Sequence, residues 1–188
     1  MGSSWVRRGQ LWVIRGDGAM LKQVIRVIRS NSCYYISYRN FLIMDIYLQE
    51  AITEAKKGLA EGGIPIGSVI VHNGKILGRG HNRRIQKGSV VLHGEMDAFE
   101  NAGRQPASVY KDCILYTTLS PCPMCTGAIL LYGIPKVVIG ENKTFLGSEQ
   151  LLKEYGVKVI VVNNAECIKM MEDFIKNNPG LWNEDIGV

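Results

Sequence analysis

Five short apolar runs alternate with helix-like segments over most of the chain, and this alternation limits the folds that the chain can adopt. The runs read as strands, since they are rich in Val and Ile, and they lie at residues 66–72, 75–80, 113–118, 136–140 and 157–162. Segments with helical spacing of apolar residues flank them, at about residues 44–61, 92–101, 121–131, 148–155 and 166–177. The first two strands are separated by Asn73-Gly74, a strong signal for a tight hairpin turn. The pattern predicts an α/β fold: a three-layer α/β/α sandwich whose five-stranded, mostly parallel sheet includes one antiparallel hairpin.

The charge of the chain changes near residue 44. Of the 22 Lys and Arg residues, seven lie in residues 1–43 beside a single acid, Asp17, which gives that segment a net charge of +6. Residues 44–188 hold the other 15 basic residues and 16 acidic ones, a net charge of −1. A near-neutral body does not favour a polyanionic partner, so no nucleic acid is expected.

We therefore expect two parts, a basic extension at 1–43 and one folded domain at 44–188. Three interpretations of the extension compete: a start upstream of a natural Met44, an Arg-rich leader that targets an organelle, or a basic arm. No apolar run approaches the ~18 residues of a membrane span, so no membrane partner is expected. Five cysteines without a paired framework favour free thiols and a cytoplasmic location, with organelle targeting as the alternative.

The stretch "SPCPMC" contains the one meaningful cysteine spacing. Cys122 and Cys125 fall in the first turn of a predicted helix, on a shared face. The positive end of the helix dipole favours thiolates there, and two convergent thiolates suit zinc. A redox pair and a purely structural zinc are the alternatives.

A third ligand is predicted from the few histidines of the chain. His93 lies where the helix at 92–101 should begin, and helix starts that follow strands can meet at one edge of a parallel sheet. Three protein ligands leave a position for water, which is the catalytic arrangement of zinc. Glu95, two residues further on, could take a proton from that water and return it elsewhere.

His-x-Glu followed by Pro-Cys-x-x-Cys is the signature of the zinc nucleobase deaminases. The segments "EGGIPIGSVIV", "GRGHNRRIQKGS", "LHGE", "LYTTLSPCPMCTGAI", "YGIPKVVIGEN" and "WNEDIG" extend the likeness to nearly all of residues 44–188. The chain resembles the cytidine-deaminase-like superfamily, and most closely its fungal-type cytosine deaminase branch. This resemblance implies hydrolysis of free cytosine to uracil and ammonia, one Zn²⁺ per subunit and a homodimer.

The resemblance also implies a role for particular residues. His93, Cys122 and Cys125 would bind zinc, and Glu95 would be the proton shuttle. The substrate would be held by two polar side chains, two backbone groups and three apolar side chains: Asn82, Asp185, Gly94, Ser120, Phe145, Trp182 and Ile64. The loop after Phe145 is one residue shorter than the fungal pattern, and this departure falls on the predicted wall of the pocket.

Two other branches of the superfamily are rival interpretations, the tRNA adenosine deaminases and the guanine deaminases. The tRNA enzymes generally read His-Ala-Glu and Glu-Pro-Cys, where this chain reads "HGE" and "SPC". A non-catalytic protein with a structural zinc is a rival from another class. Glu95 argues against it, because a structural site has no need of that carboxylate.

Overall fold

The computed structural model describes the backbone of residues 33–188 and the side chains of residues 46–188, and its compact unit spans Phe41–Val188. The strands are β1 (Gly67–His72), β2 (Lys75–His81), β3 (Cys113–Leu119), β4 (Lys136–Glu141) and β5 (Lys158–Val161). The helices are α1 (Cys33–Ala60), α2 (Arg84–Lys87), α3 (Gly94–Ala102), α4 (Ala107–Tyr110), α5 (Pro123–Tyr132), α6 (Glu149–Glu154), α7 (Ala165–Asn177) and α8 (Pro179–Asp185).

The described strands form one sheet in the order β2-β1-β3-β4-β5. β1 pairs antiparallel with both β2 and β3, whereas β3, β4 and β5 pair in parallel. The predicted five strands and the hairpin are confirmed. "Mostly parallel" describes strand direction better than pairing. Only β1 runs opposite to the other four strands, yet its place between β2 and β3 makes two of the four neighbouring pairs antiparallel.

The hairpin between β1 and β2 turns at the predicted Asn-Gly pair. Asn73 has φ +48° and Gly74 has φ +77°, so both residues adopt the left-handed conformation. Two such residues in succession define the tight turn whose twist matches that of the flanking strands, and Asn followed by Gly is its preferred sequence. The turn residues therefore fix the register in which Lys75 pairs with His72.

Successive residues of a strand point to opposite faces of the sheet, so the apolar strand residues are divided between two separate hydrophobic layers. One face of the sheet packs against α3, α5 and α6 through a cluster that includes Ile70, Leu115 and Val137. The other face packs against α1 and α7 through a cluster that includes Tyr116 and Val138. Helices thus cover both faces, and the predicted three-layer sandwich is confirmed.

A third buried cluster packs α8 against α7, against residues that precede β1 and against the end of β3. It consists of Ile64, Ile66, Leu119, Met171, Phe174 and Trp182.

The predicted helices and strands are found within two residues of their expected ends, except that α1 begins at Cys33, before the predicted start at 44. Most of the predicted extension at 1–43 lies outside the described residues. No described helix combines the length and apolar character that a membrane crossing demands.

Gly80 allows α3 to lie directly on β2. A Cβ atom at Gly80 would stand 2.2 Å from the backbone nitrogen of Ala98, in the middle of α3. We expect Gly80→Ala to destabilise the fold by about 3 kcal/mol or more, because neither backbone can move aside alone. Thermal unfolding measures the effect, and Gly127→Ala in α5 is the matched control, since Gly127 has no neighbour within 4 Å of the added methyl group. Equal melting of Gly80→Ala and wild type would contradict this packing.

Candidate active site

Two helix starts meet at one end of the sheet. His93 is the N-cap residue of α3, and Cys122 is the N-cap residue of α5. Both residues have extended backbone conformations, with ψ of 166° and 171°, which place them just before the first helical turn. Pro123 opens α5 at a position where its missing N–H costs the helix nothing. The sequence pattern predicted this meeting of two helix starts.

The three predicted metal ligands lie together. His93 Nδ1 is 3.4 Å from Cys122 Sγ, and the donor atoms of His93, Cys122 and Cys125 all lie within 4.8 Å of one another. Among the described side chains, no other group of three or more His, Cys, Asp or Glu residues has its donor atoms so close together. Two sulfur atoms and one imidazole nitrogen form a donor set that fits zinc.

The thiol pKa values of Cys122 and Cys125 are shifted in opposite directions. A hydrogen bond from Cys125, helped by His93, lowers the pKa of Cys122 to about 4 against the cost of burial. The pKa of Cys125 is raised well above its usual value, because Cys125 donates that hydrogen bond and is buried. Burial alone would lower the pKa of His93, but the Cys122 thiolate and Asp185 raise it. The lowered pKa favours the thiolate form of Cys122, the form that binds zinc.

Glu95 lies in the first turn of α3, buried beside the donor cluster. Only 3% of its surface is exposed, and Thr117 Oγ1 on β3 donates a hydrogen bond of 2.9 Å to its Oε1. Burial, followed by the negative charge of Cys122, raises the pKa of the Glu95 carboxyl. A raised pKa makes the uptake of a proton by the carboxylate more favourable, as the role of a proton shuttle requires.

A small cavity of about 20 Å³ adjoins Glu95 and two of the donors. Its wall consists of Ile66, His93, Glu95, Leu119, Ser120, Cys122, Phe145, Trp182, Asp185 and Ile186. Phe145 and Trp182 meet edge to face, with ring centroids 5.8 Å apart. The cavity is thus lined by aromatic and polar side chains beside the donor cluster.

The polar side of the wall belongs to α8. The Asp185 carboxylate lies 3.8 Å from His93 Nε2 through its Oδ1 atom, on the imidazole edge away from the sulfur atoms. Asn82 donates a hydrogen bond of 2.9 Å from Nδ2 to the same oxygen. Asn82 is fully buried and supports Asp185, and it does not itself line the cavity.

The remaining predicted contacts lie at or near the cavity. Gly94 is buried between His93 and Glu95, so its backbone belongs to the site. Ser120 lines the cavity, and its hydroxyl donates to Glu149 Oε1 at 2.9 Å and accepts from the Gly147 N–H at 3.0 Å. These bonds fix the end of the loop that carries Phe145. Ile64 lies in the buried cluster below α8, and Ile66 takes the place on the wall.

The sequence prediction missed several residues of the site. Ile66, Leu119 and Ile186 line the wall, and Thr117 holds Glu95. The alternation of β3 carried a usable signal for Thr117, because Leu115 and Thr117 point to the same face of a strand and Leu115 packs towards α3. Ile186 lies just beyond a helix that was not predicted.

The fold and the site together define a class of protein, the zinc-dependent hydrolytic deaminases, in which a glutamate that is not a ligand moves protons beside a His-Cys-Cys donor set. Residues 44–141 match the family model described as the cytidine and deoxycytidylate deaminase zinc-binding region. The chain belongs to this family, and it is a deaminase with zinc as its cofactor.

Relatives of known activity cover most of the catalytic part. The chain is 62% identical to a cytosine deaminase of Candida albicans over 141 residues, 74% of this chain and 94% of that protein. It is 43% identical to a tRNA-specific adenosine deaminase of Streptococcus pyogenes serotype M18 over 140 residues, 69% of this chain and 88% of that protein. A solved structure from a study of A-to-I editing by tRNA:A34 deaminases has the same fold, with a TM-score of 0.58 and 23% identity over 67% of this chain and 99% of that one.

Proposed function

We propose that the chain hydrolyses free cytosine to uracil and ammonia. The observation that carries the proposal is the small cavity beside the donors, walled by Phe145 and by Trp182, Asp185 and Ile186 at the end of the chain. Two aromatic rings and a carboxylate beside the donors can pack on a flat base and accept a hydrogen bond from its amine. The 62% identity to a cytosine deaminase supports the same substrate.

The residues divide the work between metal binding and proton transfer. His93, Cys122 and Cys125 hold zinc, which when bound lowers the pKa of a water molecule and so supplies the nucleophile. Glu95 takes a proton from the attacking water and delivers it to the ring nitrogen beside the reacting carbon. It then carries the second proton to the leaving amine, so that one water is consumed and one ammonia is released.

The other polar and aromatic residues position the base. Asp185 accepts a hydrogen bond from the exocyclic amine, and Phe145 and Trp182 pack around the flat ring. The backbone of Gly94 holds the carbonyl oxygen of the base, and the Ser120 carbonyl lies near the leaving group. Asn82 contributes to binding of the base together with Asp185, to which it donates a hydrogen bond. Ile64 supports the apolar side of the pocket beside Ile66.

A tRNA adenosine deaminase is the second candidate, favoured by the 43% identity to the bacterial enzyme. One observation weighs against it. The catalytic part, residues 44–188, has a net charge of −1, whereas an enzyme that binds an anticodon stem needs a basic face.

A substrate panel separates the candidates. The zinc-loaded full chain is incubated in turn with cytosine, adenine, guanine and an RNA anticodon stem-loop, and ammonia release and base identity are measured. We expect uracil from cytosine and no product from the other three substrates. Inosine in the RNA, with cytosine untouched, would contradict the proposal and establish the second candidate.

We also propose a division of the chain into a basic extension, 1–43, and the deaminase domain, 44–188; the family match beginning at residue 44 supports this boundary. A cytoplasmic location is supported by Cys113, Cys122, Cys125 and Cys167, the four cysteines with described side chains, which are all free thiols. A homodimer is supported by large apolar side chains left exposed on and beside α5 and α6: Leu131, Leu146, Leu151 and Tyr155.

A further inference from the structure

Arg84, at the start of α2, donates hydrogen bonds to the terminal helix α8 from outside the cavity. Its Nη1 donates to Asp185 Oδ1 at 3.0 Å and to the main-chain carbonyl of Glu184 at 3.2 Å. Its Nη2 donates to Glu184 Oε1 at 3.2 Å. The Arg84 side chain is 14% exposed and that of Asp185 only 3%, so the ion pair between them lies largely out of water. Arg84 therefore holds both the backbone of α8 and the carboxylate that faces the cavity.

The polar contacts of Asp185 within the described part of the chain are all made by one oxygen. Oδ1 accepts from Arg84 and, at 2.9 Å, from Asn82 Nδ2, and it is the atom near His93 Nε2. Oδ2 is thereby left for a hydrogen-bond donor in the cavity. The Asn82 amide is oriented by the same arginine, since the backbone N–H of Arg84 donates to Asn82 Oδ1 at 3.1 Å.

We propose that Arg84 is a positioning residue that turns the free oxygen of Asp185 towards the exocyclic amine of the base and keeps α8 closed over the site. The inference rests on the proposed function, because that function supplies the amine. Arginine suits the task, since its planar fork reaches two acceptors at once and keeps its charge at any working pH. Lysine could reach one of these acceptors but could not present the same fork.

The neighbouring arginine is a natural control. Arg83 precedes Arg84 in the chain, but its Nη1 lies 3.5 Å from Asp97 Oδ1 on α3, and among the described residues it forms no ion pair with α8. Replacement of Arg83 by glutamine removes the same charge one residue away. It should leave cytosine turnover as in wild type.

The first test compares Arg84→Gln, Arg84→Lys and Arg83→Gln in the zinc-loaded full chain. We expect Arg84→Gln to raise KM for cytosine by about 10- to 100-fold, the range for loss of a hydrogen bond to a charged group. The effect on kcat should be smaller, because Glu95 and the three metal ligands are untouched. Arg84→Lys should recover part of the loss. A wild-type KM in Arg84→Gln, or in Arg84→Lys should the glutamine variant fail to fold, would overturn the proposal.

The second test asks whether Arg84 acts through Asp185. Arg84→Gln is combined with Asp185→Asn, and zinc content and thermal unfolding verify that each variant is folded. We expect Arg84→Gln to raise KM much less in the Asp185→Asn background than in wild type, because one carboxylate oxygen of Asp185 is already replaced by an amide nitrogen and only the contacts of Arg84 with Glu184 remain to be lost. A second loss of full size in the double variant would show that Arg84 acts elsewhere and would overturn the inference.

The two proposals fail in different ways. If the wild-type chain releases no ammonia from cytosine, the proposed function is wrong. If wild type turns cytosine over and the Arg84 variants match it in KM, the function stands and the role of Arg84 is wrong.

Discussion

Replacement of Glu95 by glutamine should lower kcat for cytosine by about 10²- to 10⁴-fold, the usual contribution of a general acid–base group. Glutamine keeps the size of the side chain and can still bond to Thr117, but it cannot take up and return a proton. Glu95 is buried, and burial raises the pKa of its carboxyl, which favours the uptake of a proton. Steady-state ammonia release measures the loss.

Glu100→Gln is the matched control for this substitution. Glu100 lies on the same helix, α3, but is exposed to solvent. We expect Glu100→Gln to have the kcat of wild type. Both variants should retain zinc, and their melting temperatures should differ from that of wild type by no more than a surface substitution usually causes. A Glu95→Gln enzyme with an undiminished kcat would exclude Glu95 as the proton shuttle.

Replacement of Cys122 by alanine should abolish zinc binding and with it turnover. Cys122 is the thiolate of the donor set, and the ligands come from two separate helices, α3 and α5, so zinc joins those helices when bound. A ligand present at about 1,000 times its Kd stabilises the native state by about 4 kcal/mol, and the variant loses that gain. Its melting temperature should therefore fall to that of chelator-treated wild type and should not respond to chelator.

Cys113→Ala controls for the loss of a buried thiol. Cys113 is also buried, but its Sγ bonds to the Val109 carbonyl at 3.2 Å and takes no part in the donor cluster. This variant should keep its zinc and its sensitivity to chelator, whatever small stability it loses. Zinc retained at wild-type level by Cys122→Ala would mean that the metal is held elsewhere.

The strands and the two helix starts were predictable because their signals are local. The Val- and Ile-rich runs and the Asn73-Gly74 turn specify strands and a hairpin from neighbouring residues alone. The proline beside Cys122 marks the start of α5 in the same way. Once both helix starts follow strands, the topology of an α/β sheet brings His93 to the cysteines.

The features that the sequence did not predict are short or depend on distant residues. α2 and α4 have four residues each, too few for the 3.6-residue period to be recognised. α8 has seven residues, but it opens with Pro179-Gly180, a pair that is more typical of a turn. β1 pairs antiparallel with β3 because β3 is the strand that lies next to β1 in the sheet. No local sequence signal specifies which strand lies next to β1. Arg84 and Asp185 are 101 residues apart, and only the packing of α8 on the third buried cluster brings them together.

The most direct test is a titration of metal-free protein with zinc, with ammonia release from cytosine as the readout. If His93, Cys122 and Cys125 hold the single catalytic ion, the rate should start near zero, rise linearly and reach its plateau at one zinc per chain. A full rate in the metal-free protein, or zinc bound at that stoichiometry with no release of ammonia, would contradict the account.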